Sequence, residues 1–172
     1  MRRRSLLSIA GAAPLAPFAA RAQGAAGRYP DRPIRVVVPF PAGGATDIWS
    51  RLVAGPMGES LGQPLVVENR GGAGSMIGTE SVARGPADGH TLLFTITSLV
   101  QSPVVFRRAP YDAERDFAPI GGMGGTPLVF AVGAGNPARA LAEFVEQSRG
   151  RSVPYGSYSP GSTGHVFAQL FS

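Results

Sequence analysis

The sequence predicts an α/β fold built on a parallel sheet, and three observations support this prediction. From Tyr29 onward, short β-branched or apolar runs alternate with segments of helical periodicity. The first run, Ile34–Val38, lies between two prolines and has the length and composition of a buried strand. Glycine-rich loops follow the predicted strands and lead into predicted helices, and such crossovers join parallel strands.

The first predicted helix covers residues 47–61. Thr46 and Asp47 are candidates for its N-cap, because short polar side chains accept hydrogen bonds from the free amides of the first turn. Gly55 and Pro56 are expected to kink the helix. Trp49, the only tryptophan, is expected to have a packing role. Four apolar side chains have the spacing of a core-facing stripe: Ile48, Leu52, Val53 and Met57.

The next elements follow the same alternation. A strand is predicted over 65–68, and a second glycine loop after it leads into a helix over 75–84. The turn at Asp88-Gly89 then begins a strand over 91–95. Residues 103–119 have no clear periodicity and are expected to form an irregular crossover.

Glycines are dense over residues 121–125, which indicates a hinge between two lobes. Beyond the hinge, the pattern predicts a strand, a helix, a second strand and a second helix. Their expected ranges are 128–132, 138–149, 153–155 and from about 165 onward. The last helix is still apolar and uncapped at Phe171, so we expect a longer protein from which the C-terminal part is missing.

Residues 1–22 have the features of a secretory signal peptide. Arg2–Arg4 forms a basic head, Leu6–Ala20 is a largely apolar run, and Ala20-Arg21-Ala22 fits the small-x-small cleavage rule. The apolar run is shorter than the ~20 residues that span a bilayer as a helix. We therefore expect cleavage before Gln23 and export to the periplasm, with the Sec and Tat routes both open.

Composition excludes several kinds of chemistry. Of the 16 basic residues, four arginines lie in the signal segment, which contains no acid, so most of the net charge of +5 belongs to that segment. The remaining chain therefore lacks the basic surface of a nucleic-acid-binding protein. Cysteine and lysine are both absent. This excludes disulfides, a thiolate nucleophile, a cysteine metal site, a P-loop lysine and a Schiff base.

Two enzymatic alternatives are weak. Gly72, Gly74 and Gly78 follow a strand, but the third glycine comes one place too late for a dinucleotide fingerprint, and no acid lies at the expected distance beyond them. A serine hydrolase could use His90 or His165 as its base, but no serine lies in Gly-x-Ser-x-Gly. We expect His90 to be a solvated or capping residue and His165 to be structural or a donor to a ligand. Two distant histidines without cysteine make a poor metal site.

Three loops of small polar residues follow predicted strands, at residues 41–47, 95–98 and 157–163. Ligands bind at the carboxyl ends of strands in open α/β sheets. In the first loop, Gly43-Gly44 before a helix start leaves main-chain amides free to point at one spot, where the helix dipole favours an anion. Neutral donors with no strong base nearby suit the capture of a carboxylate without catalysis.

Several motifs, in this order and spacing, resemble those of the Bug family, the extracytoplasmic solute receptors of tripartite tricarboxylate transporters. The resemblance covers essentially the whole chain after the signal segment. The motifs are Pro39–Gly44 with Asp47, Val67–Arg70 with Gly72–Gly74, Asp88–Leu93, Tyr111-Asp112 with Asp116–Ile120, and Tyr155–Ser157 with Gly161, Ser162 and His165.

The resemblance implies a type II periplasmic-binding-protein-like fold whose two lobes close on a small carboxylate. Residues 23–126 would belong to the first lobe and residues 127–172 to the beginning of the second. Family chains are about twice as long, so only the first lobe and the start of the second are expected here. The implied partners are a di- or tricarboxylate or amino-acid-like ligand and the membrane permease, with no nucleic acid, no cofactor and a monomeric state.

The family binds its ligand between one loop of each lobe, largely through main-chain amides and ordered water. Carried over, the first-lobe residues are Phe40, Ala42, Gly43, Gly44, Thr46, Asp47, Thr97 and Ser98, and the second-lobe residues are Ser157, Ser159, Gly161, Ser162 and Thr163. Asp47 would cap the first helix and hold its loop. Tyr158 and Pro160 stand where the family usually has small residues, so they would either narrow the site or remove an N–H that would otherwise bind the ligand. A secreted α/β hydrolase-like enzyme and a non-functional truncated remnant remain as alternatives.

Overall fold

The computed structural model describes residues 29–108, 110–125 and 127–171; the predicted signal peptide lies outside them. Three parallel strands form a sheet in the order β2-β1-β3: β1 is Ile34–Val38, β2 is Leu65–Asn69 and β3 is Thr91–Leu93. Val38 pairs with Asn69, and Val37 pairs with Leu93. The carboxyl ends of all three strands therefore meet at one edge, and the loops that follow them share that edge.

The core is centred on β1. Its Ile34, Val36, Val37 and Val38 are buried, because β1 is paired along both edges and helices pack against it. The prediction of a parallel α/β fold is confirmed for this part of the chain. The strand bounds differ from the predicted ones by at most two residues.

Helix α1 (Ala45–Leu61) starts two residues earlier than predicted and continues through Pro56 as one helix. Its N-cap is Gly44, so the prediction that Thr46 or Asp47 occupies the N-cap is wrong. Asp47 is instead the third residue of the helix, and its carboxylate reaches back to the amide of Gly43. A side chain at this position satisfies a free donor just before the helix, as in a capping box.

The stripe predicted to face the core lies outward. Ile48 and Leu52 are 51% and 62% exposed, and Trp49 is 49% exposed. The buried residues of α1 are Asp47, Ser50 and Ala54, which also repeat at helical spacing. The expected packing of the apolar stripe is therefore wrong, because the hydrogen bonds of Asp47 turn the small and polar face toward the sheet.

Two further helices complete the sheet unit. A 3₁₀ turn at Ala73–Ser75 precedes helix α2 (Met76–Ala83), and helix α3 (Ser98–Val105) follows β3. The expected irregular crossover therefore begins as a helix. Helix α2 packs closely on the carboxyl edge, because a Cβ added at Gly78 would lie 2.5 Å from the carbonyl oxygen of Arg70.

The C-terminal segment, residues 127–171, contains helix α4 (Leu141–Ser148) and helix α5 (Thr163–Phe171). The strands predicted at 128–132 and 153–155 do not form among the described residues. A strand needs a neighbour for its backbone hydrogen bonds, and no described strand pairs with either run. Val129 is accordingly 81% exposed. Within the described ranges, no helix is both long and apolar enough to cross a membrane.

Candidate functional site

The loop after β1 is held by a hydrogen-bond network around Asp47. The carboxylate accepts hydrogen bonds from the amide of Gly43 at 2.8 Å, from Nε of Arg51 at 2.9 Å and from Nδ2 of Asn69 at 3.0 Å. Nδ2 of Asn69 also donates to the carbonyl of Phe40 at 3.1 Å. The end of β2 therefore fixes both ends of the loop after β1.

The negative charge of Asp47 is stabilised by the donors of this network. Hydrogen bonding from Arg51, then from the Gly43 amide, lowers the pKa of Asp47 from 3.8 to about 2, against an opposing effect of burial. The side chain is only 5% exposed. Its negative charge is thus neutralised by donors of the chain itself, so it is not free to repel an anion at the loop.

The amides of the first loop are only partly available. The Gly43 amide is bonded to Asp47, so the expectation that this glycine pair offers only free amides is wrong for Gly43. The first α-helical hydrogen bond of α1 runs from the amide of Ile48 to the carbonyl of Gly44. The amides of Ala45, Thr46 and Asp47 precede it and have no partner within the helix.

The predicted residues of this loop differ in exposure. Ala42, Gly43 and Gly44 are exposed, and Thr46 is half-buried. Phe40 is buried, and it contributes packing and its carbonyl to the base of the loop. Asn69 and Arg51 hold the loop, and neither was predicted to do so, although Asn69 lies in the Val67–Arg70 motif.

The loop after β2 has an unusual backbone. Ala73, Gly74 and Ser75 all have positive φ, at 47°, 63° and 82°. Such conformations cost of order 1–3 kcal/mol for residues other than glycine, and they persist only where the surroundings hold them. Here the hydroxyl of buried Ser102 donates to the carbonyl of Gly74, and that of Thr79 donates to the carbonyl of Ser75.

The loop after β3 is joined to the loop after β2 by serine hydroxyls. Ser98, at the start of α3, is 2% exposed, and its Oγ accepts a hydrogen bond from Oγ of Ser75 at 3.1 Å. Thr95 was not among the predicted ligand residues. Its Oγ1 is buried and has no hydrogen-bond partner within the described ranges.

Thr97 and Thr163 connect the sheet unit to the C-terminal segment. Their Oγ1 atoms are 2.9 Å apart, and the hydroxyl of Thr163 donates to Oε1 of Gln101 at 3.0 Å. The structure therefore brings together two predicted residues that are 66 positions apart in the sequence. Gln101 is the third member of this contact, and no sequence motif predicted its role.

The loop before α5 satisfies much of its own backbone. The amide of Gly161 donates to Nδ1 of His165 at 2.9 Å, and the amide of Ser162 donates to the carbonyl of Ser159 at 3.1 Å. Ser162 is 1% exposed, and its Oγ accepts from the amide of His165 in the manner of an N-cap. Ser157 is exposed. The amides of Gly161 and Ser162 are therefore engaged, contrary to expectation.

No hydrogen bond joins the loop at 41–46 to the loop at 157–163 among the described atoms. The predicted residues thus fall into two groups in this structure. The first surrounds the network of Asp47, and the second lies where α3 and α5 meet.

The two histidines are separated. His90 is 8% exposed and precedes β3, so it lies at the opposite edge of the sheet from the three loops. Its Nε2 is 3.1 Å from a carboxylate oxygen of Asp31, which corrects the expectation of a solvated residue. Nδ1 of His165 accepts the amide of Gly161. Among the described residues, neither ring hydrogen-bonds a serine or threonine hydroxyl.

Polar loops at the carboxyl edge of a parallel α/β sheet are typical of ligand-binding folds, and comparison with known structures shows that this fold is of the periplasmic-binding-protein-like class. A periplasmic transporter structure matches with TM-score 0.70 at 37% identity, over 83% of this chain and 49% of its own. The structure of R. palustris Rpa4515 with adipate matches with TM-score 0.75 at 35% identity, with the same coverage. The periplasmic binding protein BugD matches with TM-score 0.67 at 30% identity, over 83% of this chain and 48% of its own.

Sequence comparison gives the family. The model of the tripartite tricarboxylate transporter family receptor matches residues 49–172. The protein BugT of Bordetella pertussis is 38% identical over 147 residues, which cover 83% of this chain and 45% of BugT. A UPF0065 protein of Pseudomonas sp. strain P51 is also 38% identical, over 84% of this chain and 44% of its own. The chain belongs to the tripartite tricarboxylate transporter receptor family, and the predicted resemblance is confirmed. It spans about half the length of the relatives that it matches.

Proposed function

We propose that this chain binds a small organic carboxylate in the periplasm and presents it to the membrane permease of a tripartite tricarboxylate-type transporter. The family assignment supports a receptor role. A related structure contains adipate, a dicarboxylate, and is 35% identical to this chain. Binding, not turnover, is the activity that we assign, and the partners are the carboxylate and the permease.

The observation that carries this proposal is the arrangement of donors at the carboxyl edge of the sheet. The first amides of α1 precede its first helical hydrogen bond, and α1 adds the positive end of its dipole. The nearby carboxylate of Asp47 is already paired with Arg51. A carboxylate ligand thus meets neutral donors and no unpaired negative charge from the loop.

The remaining parts of the proposal rest on the sequence. We place the lobe boundary near residue 126, with residues 23–126 in the first lobe and 127–172 in the second, and we propose export by the signal segment and a monomeric state. The ligand residues proposed at the first loop are Ala42, Gly44 and Thr46. The histidine positions favour binding over hydrolysis, since neither ring hydrogen-bonds a serine or threonine hydroxyl among the described residues.

Titration calorimetry of the exported chain with adipate and other small dicarboxylates tests the proposal. A matched pair of variants tests the loop. Neither Gly44 nor Gly135 has a positive φ, and both are exposed. A Cβ added at Gly44 would meet only the carbonyl oxygen of Pro41, at 3.4 Å, and a Cβ added at Gly135 would meet no atom within 4 Å. Gly44→Val should weaken binding on the order of tenfold by shielding the amides, whereas Gly135→Val should leave binding unchanged.

Three results would contradict this proposal. Equal binding by both variants would reject the loop assignment. A folded chain that binds no dicarboxylate in the screen would support the remnant alternative. Hydrolysis of generic esters would support the enzyme alternative.

A further inference from the structure

A chain of hydroxyls joins α3 to α5, and its direction follows from counting protons. A threonine hydroxyl has one proton to donate. The hydroxyl of Thr163 donates to Oε1 of Gln101 at 3.0 Å, so the proton between Thr97 and Thr163, whose oxygens are 2.9 Å apart, must come from Thr97. Both hydroxyl protons are therefore already used in hydrogen bonds, one donated by Thr97 to Thr163 and one donated by Thr163 to Gln101.

This direction has a consequence for an anionic ligand. A carboxylate only accepts hydrogen bonds, so it needs donors. With the amide oxygen of Gln101 at the end of the chain, neither threonine has a proton left to offer. If the amide is reversed, its NH₂ donates to Thr163, Thr163 donates to Thr97, and the proton of Thr97 becomes free.

The position of Thr163 is fixed by packing as well as by hydrogen bonds. Phe106 of the sheet unit lies against both Gly74 and Gly161. A Cβ added at Gly74 would lie 2.6 Å from the Phe106 ring, and a Cβ added at Gly161 would lie 2.9 Å from it. A Cβ at Gly74 would also lie 2.8 Å from the carbonyl oxygen of Pro160. The loop before α5 therefore packs directly against the sheet unit, and this packing keeps Thr163 within hydrogen-bond distance of Thr97.

We propose that Gln101 is a positioning residue that sets the direction of this hydroxyl chain, and that a carboxylate obtains the proton of Thr97 only when the Gln101 amide is reversed. This inference rests on the proposed carboxylate binding, and it adds a residue that determines whether the threonine pair acts as acceptor or donor. Gln101 acts through Thr163 and need not touch the ligand.

Two substitutions of Gln101 separate this role from a structural one. Gln101→Glu keeps an acceptor at the end of the chain, so it preserves the hydroxyl chain but withholds the proton from a ligand. Gln101→Met has a similar size and only a weak thioether acceptor, so it breaks the chain of hydroxyls and releases the proton of Thr163. The two variants should therefore rank oppositely in the two properties: Gln101→Glu should be the more stable, and Gln101→Met should bind the ligand more tightly.

In the ligand-free protein, Gln101→Met should lower Tm by about 2–4 °C through the lost hydrogen bond, and Gln101→Glu should lower it less. With adipate as the probe in calorimetry, Gln101→Glu should bind about tenfold to a hundredfold more weakly than wild type. Gln101→Met should bind within about threefold of wild type or more tightly. Val100→Glu, at an exposed neighbouring residue of α3, controls for the added charge and should have a smaller effect than Gln101→Glu.

The inference would be overturned if the same Gln101 variant were both the more stable and the tighter binder. It would also be overturned if Val100→Glu weakened adipate binding as much as Gln101→Glu does. Wild-type protein that binds no carboxylate refutes the proposed function instead. In that case the Tm measurement still tests the chain direction: a Gln101→Glu protein that is less stable than Gln101→Met overturns it.

Discussion

The contact between the loop before α5 and the sheet unit predicts a measurable loss of stability when Gly161 is replaced by a residue with a side chain. This residue is buried, has φ of +77° and leaves no room for a side chain: a Cβ would lie 2.9 Å from both the Phe106 ring and Oγ of Ser102. Gly62, at the end of α1, has a similar φ of +71° but nothing within 4 Å of an added Cβ. The pair therefore separates backbone strain from steric overlap.

The expected magnitudes follow from these two terms. Alanine in the left-handed region costs about 1 kcal/mol at either position. Overlap in a packed contact adds about 1–3 kcal/mol, and only at Gly161. The Phe106 ring is 40% exposed and can move aside, whereas Ser102 is fully buried and bonded to the carbonyl of Gly74. Because one of the two neighbours cannot yield, we expect Gly161→Ala to lose about 2 kcal/mol more than Gly62→Ala.

Urea unfolding followed by circular dichroism measures this difference in the free energy of unfolding. Ser102→Ala removes the Oγ that an added Cβ at Gly161 would overlap. The Gly161→Ala/Ser102→Ala double variant should therefore be more stable than additive single effects predict, by more than about 0.5 kcal/mol. If Gly161→Ala matches Gly62→Ala within about 0.5 kcal/mol, the described contact is not formed in solution.

Three more predictions concern the first loop and α1. Because the pKa of folded Asp47 is lowered from 3.8 to about 2, its stabilisation is present above its ordinary pKa and is lost as the pH falls toward 2. The Tm difference between wild type and Asp47→Asn should therefore shrink between about pH 5 and pH 2, and a constant difference would contradict this. Asn69→Leu should cost about 1–3 kcal/mol in urea unfolding, since it removes the donor to Phe40 and Asp47; an unchanged midpoint would reject its holding role. Trp49, half-exposed, should emit at long wavelength and be quenched readily by acrylamide, whereas a blue-shifted, protected emission would show a covered face.

Structure could be predicted from the sequence where local pattern and environment coincide. Ile34–Val38 is both a β-branched run and the central strand, so this strand was predicted with the bounds that the structure has. The packing of α1 was predicted wrongly, because two of its faces have helical spacing. The apolar stripe with Ile48 and Leu52 has the stronger pattern, but the hydrogen bonds of Asp47 orient the other face toward the sheet.

By itself, the sequence determined the parallel α/β class, the three loops and the family, because strand runs, glycine spacing and ordered motifs are local properties of the chain. Only the tertiary structure decided which amides are engaged, that Asn69 holds the first loop and that Gln101 ends a hydroxyl chain with Thr97 and Thr163. Hydrogen bonds between residues distant in sequence depend on register and packing, and no local pattern encodes them. The same reason explains why the strand predicted at 128–132 does not form among the described residues: a strand requires a partner strand as well as a suitable composition.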